Sequence, residues 1–460
     1  MTRNLTKGNP AKLIVLFTIP LLIGNLFQQF YSMADTLIVG RTVGVNALAA
    51  VGCTGSLSFL ILGFAQGLTS GLSIITAQRF GAGDDTNVRS SFAASVLISV
   101  VVTILLTALS APLAKPVLRL MQTPDEIIED AYQYIVIIFW GIGASVLFNL
   151  LSNVIRALGD SRTPLLFLVV ACTLNIALDF LLILVFHMGV AGAAVATIIA
   201  QILSGVMCLL YMVKRFPILR LTAADWKIRG ETLRAHLQVA LPMAFQSSII
   251  AIGAIILQFA LNHLGATSVA AYTAAQKIDM VATQPMASFG ITMATYAAQN
   301  FGAGQYHRIR LGVRQCCVIS VAFSLFMGVV NITCGRWLVA LFVGAQLEVI
   351  SLAKIYLLTN GACYWILSLL FIYRYTLQGL GNSFVPTIAG IMELGMRTIA
   401  AVVFTQFWGF TGACLANPLA WLGACVPLGI AYFSVIRNLP QDTGDLSTAG
   451  NQIEKDEELL

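Results

Sequence analysis

The chain has 460 residues, 58% of them hydrophobic and only 10% charged, whereas soluble domains carry about 25% charged residues. With a mean hydropathy of +0.86, that composition excludes a soluble globular enzyme and points to a polytopic membrane protein. The net charge of +6 is no sign of a nucleic-acid partner, because its distribution along the chain matters more than its sum.

Twelve apolar segments appear in chain order, at residues 13–38, 46–78, 92–114, 130–154, 164–187 and 190–214, then 236–262, 267–298, 314–343, 350–374, 386–408 and 411–437. Each is long enough to cross a bilayer. The first begins after Lys12 and has no small-residue cleavage site, so it reads as a retained span and not as a signal peptide. This divides the chain into a short N-terminus (1–12), a six-helix N-lobe (13–215), a basic linker (216–235), a six-helix C-lobe (236–437) and a tail (438–460). The linker carries Pro217 near its start, and Ala224–Leu233 reads as an amphipathic piece lying at the lipid surface. The tail has no apolar periodicity and reads as disordered.

An even number of spans puts both termini on one side, and the basic residues choose the cytoplasm. With that orientation the outer loops hold Arg41, Lys115, Arg119, Arg336 and Lys354. Most of the other basic residues, with Arg156 and Arg374 counted among them, fall in inner loops and tails. The expected location is therefore the cell membrane, multi-pass, as a monomer in the lipid bilayer.

The chain also repeats itself. Gln78-Arg-Phe-Gly-Ala-Gly83 returns as Gln299-Asn-Phe-Gly-Ala-Gly304, and Leu158-Gly-Asp-Ser-Arg-Thr-Pro164 as Leu380-Gly-Asn-Ser-Phe-Val-Pro386. Gly44 with Ala49-Ala50 returns as Gly265 with Ala270-Ala271, and Gly189-Val-Ala-Gly-Ala as Gly409-Phe-Thr-Gly-Ala. Four matches in near-identical register make the halves parallel repeats, because six spans per half is an even number. The fold class is thus all-α, twelve transmembrane helices in two parallel six-helix repeats. The glycine stretches read as helix caps and tight turns. They lack the Gly-Lys-Ser/Thr ending of a phosphate loop.

Chemistry is sought among the charges that fall inside spans: Asp35, Asp179, Lys277, Asp279, Glu393 and Arg397. An acid at the centre of a membrane helix costs about 2.5–3.5 kcal/mol on insertion scales, and such acids usually mark an ion or substrate path. Asn175 and Asp179 share one helical face. Together with Asp35 and Thr197 they offer two carboxylates, an amide oxygen and a hydroxyl, which suit a proton or Na⁺ better than a soft metal. Pro20 lies fifteen residues before Asp35, and proline inside a helix favours a bend. Glu393 and Arg397 stand four apart and read as a local ion pair. Lys277, Asp279, Glu393 and Arg397 together make a possible polar site in the C-lobe, with Lys277 free to snorkel if it lies near a helix end. The nine cysteines show neither metal nor disulfide spacing. No cofactor is called for beyond a coupling ion, H⁺ or Na⁺.

These residues resemble a family. Pro20 with Asp35 and the following Thr-Leu-Ile-Val-Gly40, the Gln-x-Phe-Gly-Ala-Gly repeat, Ala157-Leu-Gly-Asp160 and Asn175-x-x-x-Asp179 are similar to the multidrug and toxic compound extrusion (MATE) transporters over roughly residues 10–440. The resemblance implies two six-helix lobes around a central cavity. It also implies export of organic, often cationic, compounds against an inward H⁺ or Na⁺ gradient. Within it, the branch of the DNA-damage-inducible-F type would use Asp35, Asn175, Asp179 and Thr197 as its N-lobe cation site. Other branches carry a glutamate on the seventh helix where Ile250 stands here, which disfavours a C-lobe ion site.

The alternative function is a flippase for lipid-linked saccharides, which should line its cavity with several Arg or Lys. Only Lys277 and Arg397 stand out inside spans, against more acids. An enzyme is disfavoured by the lack of His-Glu-x-x-His and Gly-x-Ser-x-Gly motifs. Tyr31, Tyr132, Tyr134, Trp140 and Tyr364 are candidate cavity aromatics, though each is more often a packing or interface residue.

Overall fold

The computed structural model describes residues 4–343 and 346–440, and the described residues fold as helices and connecting turns, with no strand among them. Twelve helical spans can be numbered in chain order. The first six are α1 (Pro10–Thr42), α2 (Val45–Gly81), α3 (Asp85–Leu120), α4 (Asp125–Trp140 continued by Ile142–Ala157), α5 (Arg162–Phe180 continued by Leu181–Val185) and α6 (Gly189–Arg215). The last six are α7 (Gly230–His263), α8 (Ala266–Gly302), α9 (Tyr306–Val343), α10 (Leu347–Gly361 continued by Tyr364–Gly379), α11 (Phe384–Ile399 continued through Ala400–Phe404 to Trp408) and α12 (Phe410–Cys414 continued by Ala416–Asn438).

Eleven of these are long and apolar enough to cross a membrane, counting the bent pairs in α4 and α10 as one span each. The twelfth is α8. Its polar residues, Lys277 and Asp279 among them, dilute its hydropathy, and its second half is almost wholly buried, from Met286 to Asn300. Protein covers the polar backbone and side chains that lipid could not satisfy. The large exposed side chains elsewhere, such as Phe30, Ile104, Trp140, Trp337 and Phe433, suit a lipid-facing surface.

The duplication seen in the sequence extends to fine geometry. α4 bends by 46° and α10 by 48°. A π-helical stretch closes α5 at Leu181–Val185, and its counterpart lies in α11 at Ala400–Phe404. The positive-φ glycines also come in pairs across the halves: Gly44 with Gly265, Gly83 with Gly304, Gly159 with Gly381 and Gly189 with Gly409.

The repeated Gln-x-Phe-Gly-Ala-Gly motifs do more than end helices. The second glycine of each, Gly83 (φ 72°) and Gly304 (φ 71°), makes the left-handed turn that was expected. The first is a contact point between the halves. A Cβ on Gly81 would lie 2.0 Å from the Gln299 carbonyl oxygen, and one on Gly302 would lie 1.7 Å from that of Gln78. Backbones meet there because neither residue has a side chain. The glutamines then reach across reciprocally: Gln78 Nε2 donates to the Gly379 carbonyl at 2.8 Å, and Gln299 Nε2 to the Ala157 carbonyl at 2.6 Å. Leu5 N–H closes the set by donating to Gln299 Oε1 at 3.0 Å.

The two lobes diverge away from this seal, as α2 shows against α7. Cβ atoms on Gly71 and Gly67 would meet Ala240 and Met243 at 2.5 Å, one on Gly63 would meet Ser247 only at 3.9 Å, and Gly55 and Gly52 face open space. The cleft is closed on the face that carries the described chain ends and opens toward the other.

Three sequence readings are corrected here. Arg374 is not in a loop but buried within α10. Arg156, also counted among the loop residues, lies in the last turn of α4. The Ala224–Leu233 piece is divided between a turn and a helix: the chain turns at Thr222–Asp225, where Asp225 accepts from Thr222 N–H at 2.7 Å and lies 3.5 Å from Arg89, and α7 begins at Gly230. The backbone and side chain of Thr222 hold the Asp225 carboxyl below its usual range. Residues 441–460, read from sequence as disordered, lie outside the described residues.

Candidate functional site

Asp35 and Asp179 are brought together inside the N-lobe. Asp35 lies seven turns along α1, and Asp179 lies on α5 immediately before its π-helical stretch, a distortion frequent at functional sites. Asn175 and Asp179 are fully buried and Asp35 nearly so. The two carboxyls are neighbours across α1 and α5. Asn175 Nδ2 donates to Thr197 Oγ1 at 3.4 Å, and Tyr31 Oη donates to the same oxygen at 3.1 Å. The four residues proposed from sequence therefore converge from α1, α5 and α6.

The protein leaves this cluster short of donors. Asp35 Oδ1, Asn175 Oδ1 and both Asp179 oxygens are buried with no hydrogen-bond donor from the protein. No Lys or Arg makes an ion pair with either acid among the described residues. Buried acceptors without donors are costly. A proton between the carboxyls, or a hard cation among these four oxygens, would satisfy them. The cluster borders an N-lobe cavity of about 500 Å³, lined by Asp35, Tyr31, Tyr134, Thr197 and Gln201 among others. Tyr31 was legible only as an aromatic; its position one turn before Asp35 was the available clue.

Among the described residues no hydrogen bond or ion pair joins Asp279 to Glu393 or Arg397. Asp279 Oδ1 accepts from Tyr364 Oη at 2.6 Å, and that hydroxyl accepts from Asn331 Nδ2 at 2.8 Å. Glu393 joins a different group, with Arg374 at 2.7 Å and Arg397 at 3.3 Å. The expected Glu393–Arg397 pair is thus one edge of an Arg-Glu-Arg triad. Lys277 is exposed, as snorkelling requires. Of the aromatics, Trp140 is 71% exposed and faces outward, whereas Tyr132 sits under the Lys115 ammonium at 5.1 Å.

Between the lobes lies a central cavity of about 290 Å³, to which α1, α2, α4, α5, α7, α8 and α10 all contribute. It shares Gln28, Phe59, Gly63 and Gln66 with the N-lobe cavity, so the two adjoin. Pro20, expected as a hinge, is buried within an unbroken α1 and borders a crevice against Arg162 and Leu165 of α5.

Two equivalent six-helix lobes meeting around a polar cavity are an architecture found among membrane transporters. Comparison with known proteins gives the family. The MatE family model matches residues 20–181 and again residues 242–403, once per lobe. The chain belongs to the MATE family of transporters, and it is not an enzyme. It is 30% identical over 424 residues to the probable multidrug resistance protein YpnP of Bacillus subtilis, covering 91% of this chain and 90% of that one. It is 24% identical over 446 residues to an FAD transporter of Shewanella oneidensis, covering 93% and 95%. The fold superposes with a TM-score of 0.87 on an outward-facing multidrug resistance MATE transporter, at 24% identity over 95% of this chain and 98% of that one.

Proposed function

We propose that the protein is an antiporter that exports small organic compounds across the cell membrane in exchange for H⁺ or Na⁺, with both termini in the cytoplasm. Asp35, Asn175, Asp179 and Thr197 hold the coupling ion, as in the branch of the DNA-damage-inducible-F type. The observation that carries this reading is the neighbouring pair Asp35 and Asp179, buried with no ion-pairing Lys or Arg among the described residues. Two neighbouring carboxylates in an apolar lobe are costly, so a proton or hard cation is favoured there.

The exported cargo occupies the adjoining central cavity. Names among the relatives, multidrug resistance proteins and an FAD transporter, support an organic cargo. The flippase alternative called for several Arg or Lys in the cavity, and Arg156 and Arg374 meet part of that requirement; the size, about 290 Å³, is what disfavours it, suiting a small organic molecule and not a saccharide on a lipid carrier.

Coupling follows from differential affinity: ion and cargo must favour opposite states of the lobes. Ion arrival at Asp35 and Asp179 favours bending of α1 near Pro20, which narrows the N-lobe and the adjoining cavity. The test is transport in proteoliposomes with pH and Na⁺ gradients imposed separately. Wild type should move cargo under at least one gradient, and Asp35→Asn and Asp179→Asn should abolish that movement while the protein remains folded. Gradient-driven transport of wild-type size in both variants removes these residues from the ion site.

A further inference from the structure

The central cavity has a polarity opposite to that of the N-lobe cluster. Its lining includes Arg156 and Arg374 and no Asp or Glu. The two arginines reach it from the last parts of α4 and α10, corresponding helices of the two lobes. Arg374 is only partly neutralised, because its partner Glu393 is shared with Arg397, leaving two guanidinium groups on one carboxylate. Arg156 makes no ion pair among the described residues; its Nη1 donates to Asn153 Oδ1 at 3.2 Å.

Unused donors accompany this charge. Arg156 Nε, Arg374 Nε and Gln246 Nε2 are buried without hydrogen-bond partners, and all three residues line the cavity. Arg374 is 4% exposed. Unpartnered buried donors on two guanidinium groups are complementary to an anion, and guanidinium suits the planar oxygens of a carboxylate, sulfonate or phosphate ester. Phe148, Phe371 and Tyr375 supply apolar walls. The seventh helix contributes Ile250 and no acid to the same lining.

We infer that the central cavity between Arg156 and Arg374 is a binding site for an organic anion with an apolar or aromatic body, which the transporter exports. This deepens the export reading and rests on it, and it replaces the cationic cargo that family resemblance implied. The acids that bind the coupling ion lie in the N-lobe cavity, next to the cargo and not around it. An anion leaving while a proton or Na⁺ enters moves charge of one sign in one sense. Its transport is therefore electrogenic, driven by an inside-negative potential, whereas one-for-one exchange of a monovalent cation is electroneutral.

The test uses two probes of one shape, naphthalene-1-sulfonate and 1-(trimethylammonio)naphthalene, with the full-length protein in detergent and in proteoliposomes. Wild type should bind the sulfonate at least tenfold more tightly than the ammonium. Arg156→Gln should lose about tenfold of sulfonate affinity with ammonium binding unchanged or improved, and Arg156→Lys should restore part of it. Equal binding, tighter ammonium binding, or binding of neither probe by wild type overturns the assignment, whatever the variants' folding. Sulfonate preference without gradient-driven transport keeps the anion site and sinks antiport. Proton- or Na⁺-driven transport of the ammonium alone does the reverse.

Discussion

The seal between the halves makes a quantitative demand on Gly302. A Cβ there would sit 1.7 Å from the Gln78 carbonyl oxygen, less than half a normal van der Waals separation, and the obstacle is backbone. Gly302→Ala therefore forces α2 and α8 apart by more than an ångström on the closed face. It strains the reciprocal bonds of Gln78 and Gln299 with Gly379 and Ala157. Overpacking of this kind costs about 1–3 kcal/mol. Under the proposed antiport mechanism that cost falls on the state with this face closed, and a bias of about 1–3 kcal/mol is roughly 5–150-fold in the ratio of states. A single cysteine at Ala303, on a cysteine-free background, reports the opening through its labelling by an impermeant maleimide added from that face. The expected rate increase is about 5–150-fold. Gly55→Ala, where a Cβ meets nothing within 4 Å, should leave the rate unchanged. Labelling of Gly302→Ala at the wild-type rate would mean that the closed face does not depend on this contact.

Other expected outcomes concern different parts of the molecule. Glu393→Gln leaves Arg374 and Arg397, with side chains 5% and 9% exposed, without their counter-charge; a loss of about 3–5 kcal/mol should appear as a marked fall in thermal stability in detergent, and unchanged stability would contradict the triad. Cysteines at Ala224 and Asp125 should label from the cytoplasm and from outside respectively, and the reverse pattern would invert the proposed topology. Pro20→Ala should keep ion binding but weaken its effect on cargo affinity, as measured by cargo titration at high and low ion concentration.

The N-lobe cluster was legible because its elements are strong and sparse signals. Asp35 and Asp179 are isolated acids in apolar runs, and the i, i+4 spacing puts Asn175 on the same face; their convergence with Thr197 required the fold. The duplication was legible from Gln78–Gly83 and Gln299–Gly304, but not that these copies touch, since a glycine in a sequence does not show what faces it. Arg156 and Arg374 escaped notice because each lies near the end of an apolar run, where basic residues usually belong to loops. Burial among partner helices, invisible to periodicity, turned both into cavity residues. α8 shows the same limit: it was read as a span at 267–298, but the burial of its second half among partner helices became visible only in the fold.

The proposed mechanism links ion and cargo through Asp35 and Asp179, and cargo affinity in detergent, with proton and Na⁺ concentrations varied separately, reads that link directly. Wild-type affinity should fall as one of the two ions is raised. Asp35→Asn and Asp179→Asn should be fixed at a single affinity across the whole range. Wild-type affinity indifferent to both ions, or a full ion response surviving in both variants, would contradict it.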